Sequence, residues 1–111
     1  MARATEVARG QLWSVDFGAD IGQHPALLVS RTGIMRRRWR ATVALISSSI
    51  LGLRTEAPVG PADGLDHDSA IDCEDLYTVH IDQLSQRLGE LDQARMAQVS
   101  ANIRLALDLN A

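Results

Sequence analysis

The feature that most constrains this chain is a strand-like alternation followed at once by a polar turn and a second apolar run. In residues 10–17, Trp13, Val15 and Phe17 fall on one face and their neighbours on the other, which is the period of a half-buried β-strand. Residues 25–30 are again mostly apolar and predict a second strand. The chain therefore opens with two neighbouring strands joined by a short loop.

That loop presents three side chains able to do chemistry, Asp20, Gln23 and His24. Pro25 removes a backbone donor and biases His24 toward an extended backbone. Loops held by a rigid sheet often carry function. The simpler alternatives are that Asp20 caps the turn and that His24 is an ordinary loop imidazole.

Charge is divided unevenly along the chain. Residues 1–55 contain eight arginines and three carboxylates, a net charge of +5, whereas residues 56–111 contain three arginines and eleven carboxylates, a net charge of −8. Such asymmetry indicates a polyanionic partner for the basic half. All basic residues are arginine and none is lysine, which suits bidentate phosphate contacts but also reflects genome composition.

Arginines cluster around a tryptophan just after the second strand. Residues 31–40 show no apolar period and predict an exposed connection. Arginines attract phosphates and a tryptophan offers a stacking face to an unpaired base. The candidate nucleic-acid-binding residues are Arg31, Arg36, Arg37, Arg38, Trp39, Arg40 and Arg54. The alternative is a solvated loop with Trp39 folded onto the protein or buried in a dimer contact.

The remaining chain predicts several short strands and one final helix. Turn residues recur between the strands, as in a small barrel or a strongly bent sheet. Asp92 is a candidate N-cap, and the apolar residues after it recur at helical spacing up to Leu107. Strands are predicted at 41–46, 55–59, 69–73, 77–79 and 86–91, with a turn at 60–64 and a short helical turn at 80–85.

Size and composition set further bounds. A chain of 111 residues suits a single domain over 1–111, and its apolar runs are far shorter than the roughly 18 residues of a membrane span. The single cysteine, Cys73, favours a reducing compartment, so the cytoplasm is expected. Cys73 is expected to be packed rather than nucleophilic, and His67 and His80 to be surface residues. Three histidines and one cysteine without close spacing predict no metal site and no cofactor.

Taken together, these segments resemble the MazF/PemK/Kid-type endoribonuclease toxins in order along nearly the whole chain. The resemblance implies a mostly β, α+β fold, a small SH3-like barrel with a C-terminal helix that forms a homodimer. It also implies a toxin neutralised by a cognate antitoxin with an acidic segment. The matching segments are residues 9–16, 24–30, 43–48, 64–75, 77–79 and 88–91.

The resemblance also implies a reaction. Such toxins cut single-stranded RNA without a metal, because the substrate's 2′-hydroxyl attacks the adjacent phosphate and leaves a cyclic phosphate and a 5′-hydroxyl. His24 stands where most members have a catalytic arginine, so we expect it to act as acid or base. Ser47 stands where many members have threonine and is expected to hydrogen-bond the scissile phosphate. Asp72 replaces an arginine found before the cysteine in some members.

A second interpretation keeps the fold and changes the function. Because His24 replaces a fixed positive charge, the protein could instead be a catalytically impaired member that binds nucleic acid or an antitoxin. For Ser47, the simpler alternative is an ordinary hydroxyl at a strand end.

Overall fold

The structure, a computed structural model, describes residues 2–109 and consists of a six-stranded sheet with two α-helices. Helix α1 (Thr32–Arg38) joins the second strand to the third, and α2 (Gln93–Leu107) follows the last strand. The strands are β1 (Gln11–Asp16), β2 (Gln23–Leu28), β3 (Arg40–Ser47), β4 (Glu56–Val59), β5 (Ser69–His80) and β6 (Leu84–Glu90). Short 3-10 turns lie at Ala4–Glu6, Pro61–Asp63 and Ile81–Gln83.

All neighbouring strands are antiparallel, in the order β4-β5-β3-β2-β1-β6. Register shifts interrupt the β1–β6 and β3–β5 pairs, and such bulges bend strands and increase their twist. The sheet curves into a half-barrel that α2 packs against. The prediction of a small, mostly β, barrel-type fold with a C-terminal helix is confirmed.

The curved sheet buries side chains on both of its faces. On β1, Trp13 and Val15 pack in one apolar cluster with Met35 of α1, while Leu12 packs in a second cluster. The second cluster contains Val99 of α2. The alternation predicted for β1 is therefore correct, and full burial of a side chain such as Leu12 stabilises the fold by about 1.5–3 kcal/mol.

Helix α2 begins as its sequence predicts. The carboxylate of Asp92 accepts the backbone N–H of Arg95 at 2.8 Å, an N-cap that contributes about 1 kcal/mol. Val99 is fully buried and Ile103 packs against the same cluster. Leu107, expected on the packed stripe, is half exposed instead, because the last turn of α2 extends beyond the sheet's apolar cluster.

Residues 31–40 correct the prediction of an exposed connection, since residues 32–38 form helix α1. The helix is anchored by Met35, which is fully buried. Trp39 ends it in the left-handed region at φ 57°, and its backbone N–H donates to the carbonyl of Met35. One buried side chain in seven residues leaves no apolar period to read, which is why the sequence did not reveal the helix.

Strand β5 corrects the prediction of two strands at 69–73 and 77–79. On β3, Ala44 pairs with Leu76 and the next residue, Leu45, pairs with Asp72, so residues 73–75 bulge out between them. The polar pair at 74–75 marked a real irregularity. The strand continues through it because β3 supplies partners on both sides of the bulge.

Candidate active site

A cavity of about 310 Å³ opens at the end of the sheet where β2 begins and β3 ends. Antiparallel pairing of Ala26 with Leu45 brings the start of β2 beside the end of β3, and the pairs Val15–His24 and Ser14–Gln86 add β1 and β6 to the same region. Its wall combines polar and apolar groups, and the lining residues are Ser14, His24, Pro25, Ile46, Ser48, Gly64, Leu65, Asp66, His67, Ser69, Gln86 and Leu88.

His24 occupies the β2 side of this cavity and is half-buried. Its Nδ1 lies 3.3 Å from the carbonyl oxygen of Pro25. A carbonyl only accepts, so this contact matches the tautomer of the neutral ring with its proton on Nδ1, in which Nε2 carries the lone pair. A half-buried imidazole that lines an open cavity is placed where it can transfer a proton to or from a bound substrate.

The opposite wall is the loop of residues 60–68, and its backbone touches β6. A Cβ built on Gly64 would lie 1.9 Å from the carbonyl oxygen of Leu88, and one on Gly89 would lie 2.1 Å from that of Asp63. Only glycine fits at both positions, because real Cβ contacts are never this short. The two glycines therefore let the loop lie directly on the strand and set the position of the cavity wall.

An ion pair with α2 holds the same loop. The carboxylate of Asp63, which is almost fully buried, accepts hydrogen bonds from the guanidinium of Arg95 and, at 3.0 Å, from the backbone N–H of Gly60. The hydrogen bonds from Arg95 lower the pKa of the Asp63 carboxyl, outweighing the opposite effect of burial. The loop is thus fixed to both β6 and α2.

Gln23 and Asp20 lie in or next to the β1–β2 turn. The Nε2 of Gln23 donates to the hydroxyl of Ser14 at 2.9 Å and to that of Ser85, so this side chain ties β2 to β1 and β6 beside the cavity. Asp20 is exposed in the turn. The structure therefore brings Gln23 close to a cavity residue through Ser14.

The arginines of α1 lie at the other end of the strands. Arg40 and Ser47 are the first and last residues of β3, and seven steps of about 3.3 Å separate them by roughly 23 Å. Arg38 and Arg40 line a separate groove of about 230 Å³ with Ile34 and Thr78 among its walls. The structure does not bring the arginines of α1, or Arg40, together with His24.

The predicted RNA-binding arginines and Trp39 differ in their surroundings. Arg36 is anchored, since its Nε donates to the carbonyl of Val7 at 3.1 Å. Arg31, Arg37 and Arg38 are exposed, and the side chain of Trp39 is 46% exposed, so its ring is available for stacking. Arg54 is exposed in the loop between β3 and β4.

Neither a metal cluster nor a membrane-crossing helix is found in residues 2–109. No three histidine, cysteine, aspartate or glutamate side chains of this part of the chain are grouped so as to hold a metal ion. Neither α-helix in these residues has the length and apolarity needed to cross a membrane. Cys73 is buried, and burial together with the charge of Asp72 raises the pKa of its thiol to about 11, as expected for a packed cysteine.

Comparison with known proteins accounts for this architecture. The sequence matches the PemK-like, MazF-like toxins of type II toxin–antitoxin systems over residues 8–107. The chain belongs to this family. It is 32% identical to the probable endoribonuclease MazF5 of Mycobacterium tuberculosis over 102 residues, 91% of this chain and 93% of that protein. The resemblance inferred from the sequence is confirmed.

Solved structures support the assignment. A mycobacterial endoribonuclease in complex with its cognate antitoxin superposes with a TM-score of 0.83 at 26% identity, covering 95% of this chain and 98% of that one. The Mycobacterium tuberculosis toxin MazF-mt6 superposes with a TM-score of 0.79 at 27% identity, covering 93% of this chain and all of the other.

In this PemK/MazF-like toxin, the two predicted catalytic residues have different surroundings. His24 lines the cavity. The hydroxyl of Ser47 accepts the backbone N–H of Ser49 at 3.0 Å, and Ser48, one position on, is the serine that lines the cavity at this strand end. Ser47 pairs with Ala70 of β5.

The toxin's cavity also contains residues that the sequence did not mark as functional. His67 was expected to be a surface residue and is exposed, but it also lines the cavity that contains His24. Gln86 and Ser14 reach the same wall from β6 and β1. The signal that could have found His67 is the pair of glycines, because Gly64 and Gly89 permit the loop–strand contact that positions it.

Proposed function

We propose that this toxin is a metal-independent endoribonuclease that cuts single-stranded RNA. The substrate's 2′-hydroxyl attacks the adjacent phosphate, giving a 2′,3′-cyclic phosphate and a 5′-hydroxyl. The observation that carries the proposal is the half-buried imidazole of His24 in an open polar cavity. Membership of a toxin family with a relative named as an endoribonuclease supports it.

His24 transfers a proton in this reaction. Histidine titrates near neutral pH and so serves as acid or base without a large change in its environment. The hydroxyl of Ser47 hydrogen-bonds the scissile phosphate, and Ser48, which lines the cavity, is the neighbouring candidate for that contact. Comparing the cleavage rates of Ser47→Ala and Ser48→Ala decides between them. The variant that lacks the hydroxyl contacting the phosphate should cut at least tenfold more slowly than the wild type.

RNA binding extends beyond the cavity. Arg31, Arg37, Arg38 and Arg40 attract phosphates of an RNA segment away from the cut, and Trp39 stacks on an unpaired base. Arg36 contributes charge from its anchored position, and Arg54 adds charge from the β3–β4 loop. Gln23 and Asp20 contact RNA beside the cavity.

The partners follow from the family. The toxin forms a homodimer and is neutralised by a cognate antitoxin whose acidic segment competes with RNA for the arginines. A mycobacterial endoribonuclease of the same fold is known in complex with its cognate antitoxin. The toxin acts in the cytoplasm, where its one cysteine stays reduced. Light scattering of the pure toxin tests the dimer, which predicts twice the mass of the 12.1 kDa chain.

A binding-only function on the same fold is the second candidate. The position of Arg40, at the end of β3 opposite Ser47 and roughly 23 Å from it along the strand, favours this function, since a basic surface so placed holds RNA whether or not the cavity cuts. In this case an intact RNA remains bound to the protein.

One assay distinguishes the two functions. A long single-stranded RNA is incubated in chelator with the wild type, His24→Ala or His80→Ala, and the ends of any products are mapped. His80 is the matched control, because it lies outside the cavity where its Nδ1 accepts the backbone N–H of Asp82. Cleavage by the wild type and His80→Ala but not His24→Ala is expected. Intact RNA retained by the wild type would refute the nuclease function.

A further inference from the structure

The cavity contains a second histidine that faces the same space as His24. His67 lies on the loop wall and His24 on the β2 wall, so a linkage bound between them would have an imidazole on each side. Of the other lining groups, the serine hydroxyls and the Gln86 amide do not titrate near neutral pH, and Asp66 is a carboxylate. Of the residue types in this lining, histidine is the one whose chemistry suits both the acid and the base role.

The position of His67 is set by the backbone. Gly64 and Gly89 bring its loop into direct contact with β6, and Asp63 ties the loop to α2. Its carbonyl oxygen also accepts the hydroxyl of Ser69 at 3.1 Å. The backbone that carries the His67 side chain is therefore held beside the cavity without substrate, which brings the imidazole within the reach that proton transfer requires.

We propose that His67 is the second catalytic residue of the toxin, acting as general acid while His24 acts as general base. The inference rests on the proposed ribonuclease function and assigns its two proton transfers. Because Nδ1 of His24 donates to Pro25, its Nε2 accepts the proton of the 2′-hydroxyl. The 2′-oxygen–phosphorus bond forms, the bond from phosphorus to the 5′-oxygen breaks, and protonated His67 gives its proton to the leaving 5′-oxygen. Exchange with water then restores both rings.

A pH profile of cleavage tests the assignment. A base that must be neutral and an acid that must be protonated give a bell-shaped dependence of kcat/KM on pH. Asp66 is the charged group that lines the cavity with the two rings, whereas Asp68, the next residue after His67, lines a different groove beside Gly60. We expect His67→Gln to remove the alkaline limb and His24→Gln the acidic limb, whereas His80→Gln, outside the cavity, keeps both limbs.

A substrate with a sulfur atom in place of the leaving 5′-oxygen separates the acid from every other role. A thiolate leaves without protonation, so loss of a general acid matters little for this substrate. On ordinary RNA, His67→Gln is expected to lose at least 100-fold in rate, within the range for general acid–base catalysis. On the sulfur substrate its loss should be less than tenfold, while His24→Gln stays impaired on both.

These experiments distinguish failure of the role assigned to His67 from failure of the proposed nuclease function. If the wild type cuts neither substrate, the nuclease function and this inference both fail. If the wild type cuts but His67→Gln keeps the alkaline limb, or loses equally on both substrates, the inference alone is overturned. Thermal unfolding of each variant guards against misfolding, and His67→Ala with added imidazole gives a second test, since recovery of rate is expected only for a missing proton donor.

Discussion

Replacing Gly89 by alanine should destabilise the toxin by pushing the cavity wall off β6. The new Cβ would lie 2.1 Å from the carbonyl oxygen of Asp63, and contacts below 3.0 Å are essentially never seen, so the two backbones must separate by about 0.9 Å. Both sides are backbone, and Asp63 is pinned by its ion pair. Overpacking of this kind costs about 1–3 kcal/mol, and we expect about 2 kcal/mol.

Three other glycines provide matched controls, because they separate crowding from backbone strain. Gly33 in α1 has open space and no positive φ, so Gly33→Ala should stabilise by about 0.5–1 kcal/mol. Gly18 has open space but φ +92°, so alanine there should cost about 1–2 kcal/mol from strain alone. Gly64 combines φ +98° with a 1.9 Å contact, so Gly64→Ala should be the most destabilising, at about 3–4 kcal/mol.

Denaturant unfolding followed by circular dichroism measures these free energies of unfolding. The expected order of stability is Gly33→Ala, wild type, Gly18→Ala, Gly89→Ala and Gly64→Ala. If Gly89→Ala unfolds within about 0.5 kcal/mol of the wild type, the loop is not held against β6 and the reasoning is refuted.

Three further predictions concern charge and reactivity. Asp63→Asn should lower the free energy of unfolding by about 1–3 kcal/mol at neutral pH. The pKa of Asp63 is lowered in the folded state, so its stabilisation is present above the unfolded pKa of about 4 and is lost as pH falls through the folded value. The unfolding curves of the variant and the wild type should therefore converge in acid. The double variant Arg38→Gln, Arg40→Gln should flatten the slope of log binding constant against log salt for single-stranded RNA by about 1.4, whereas Arg104→Gln should leave it unchanged. Cys73, with a buried thiol of pKa about 11, should resist alkylation at pH 8 until the protein unfolds, which mass spectrometry would detect; rapid labelling of the native toxin would contradict this.

What the sequence predicted well depends on contacts between near neighbours. The alternation of Trp13 and Val15 depends only on the two-residue period of a strand, and the cap at Asp92 only on a residue three positions away. The strands and the final helix were therefore placed within a few residues. Family resemblance then gave the architecture that local patterns do not specify.

Elements stabilised by a distant part of the chain were misread. Helix α1 depends on one buried methionine, Met35, packing against strands on either side of it in sequence. The bulge at residues 73–75 depends on the register that β3 imposes. Neither partner lies within the window over which periodicity is read, so both signals looked like loop.

The residues of the candidate site show the same difference between local and distant contacts. His24 was identified because it lies next to a strand and where family members carry a catalytic residue. The sequence predicts a surface position for His67, which lies in an acidic turn, and nothing local links it to His24, 43 positions earlier. The two residues line one cavity because the backbone of the loop that carries His67 lies directly against the backbone of β6 at Gly64 and Gly89. In the sequence, this contact appears merely as two ordinary glycines.

The RNA-binding arginines of α1 and the cavity that contains His24 lie in different parts of the toxin, and this arrangement has a functional reason. Arginines that bind RNA away from the cut bind substrate and transition state equally, and such uniform binding lowers KM without raising kcat. Because Arg38 and Arg40 line a groove separate from the cavity of His24, RNA binding and proton transfer depend on different residues. An antitoxin segment that covers the α1 arginines would then block access without touching the histidines. Substitutions in α1 should accordingly raise KM and leave kcat for RNA unchanged, whereas substitutions at His24 should lower kcat.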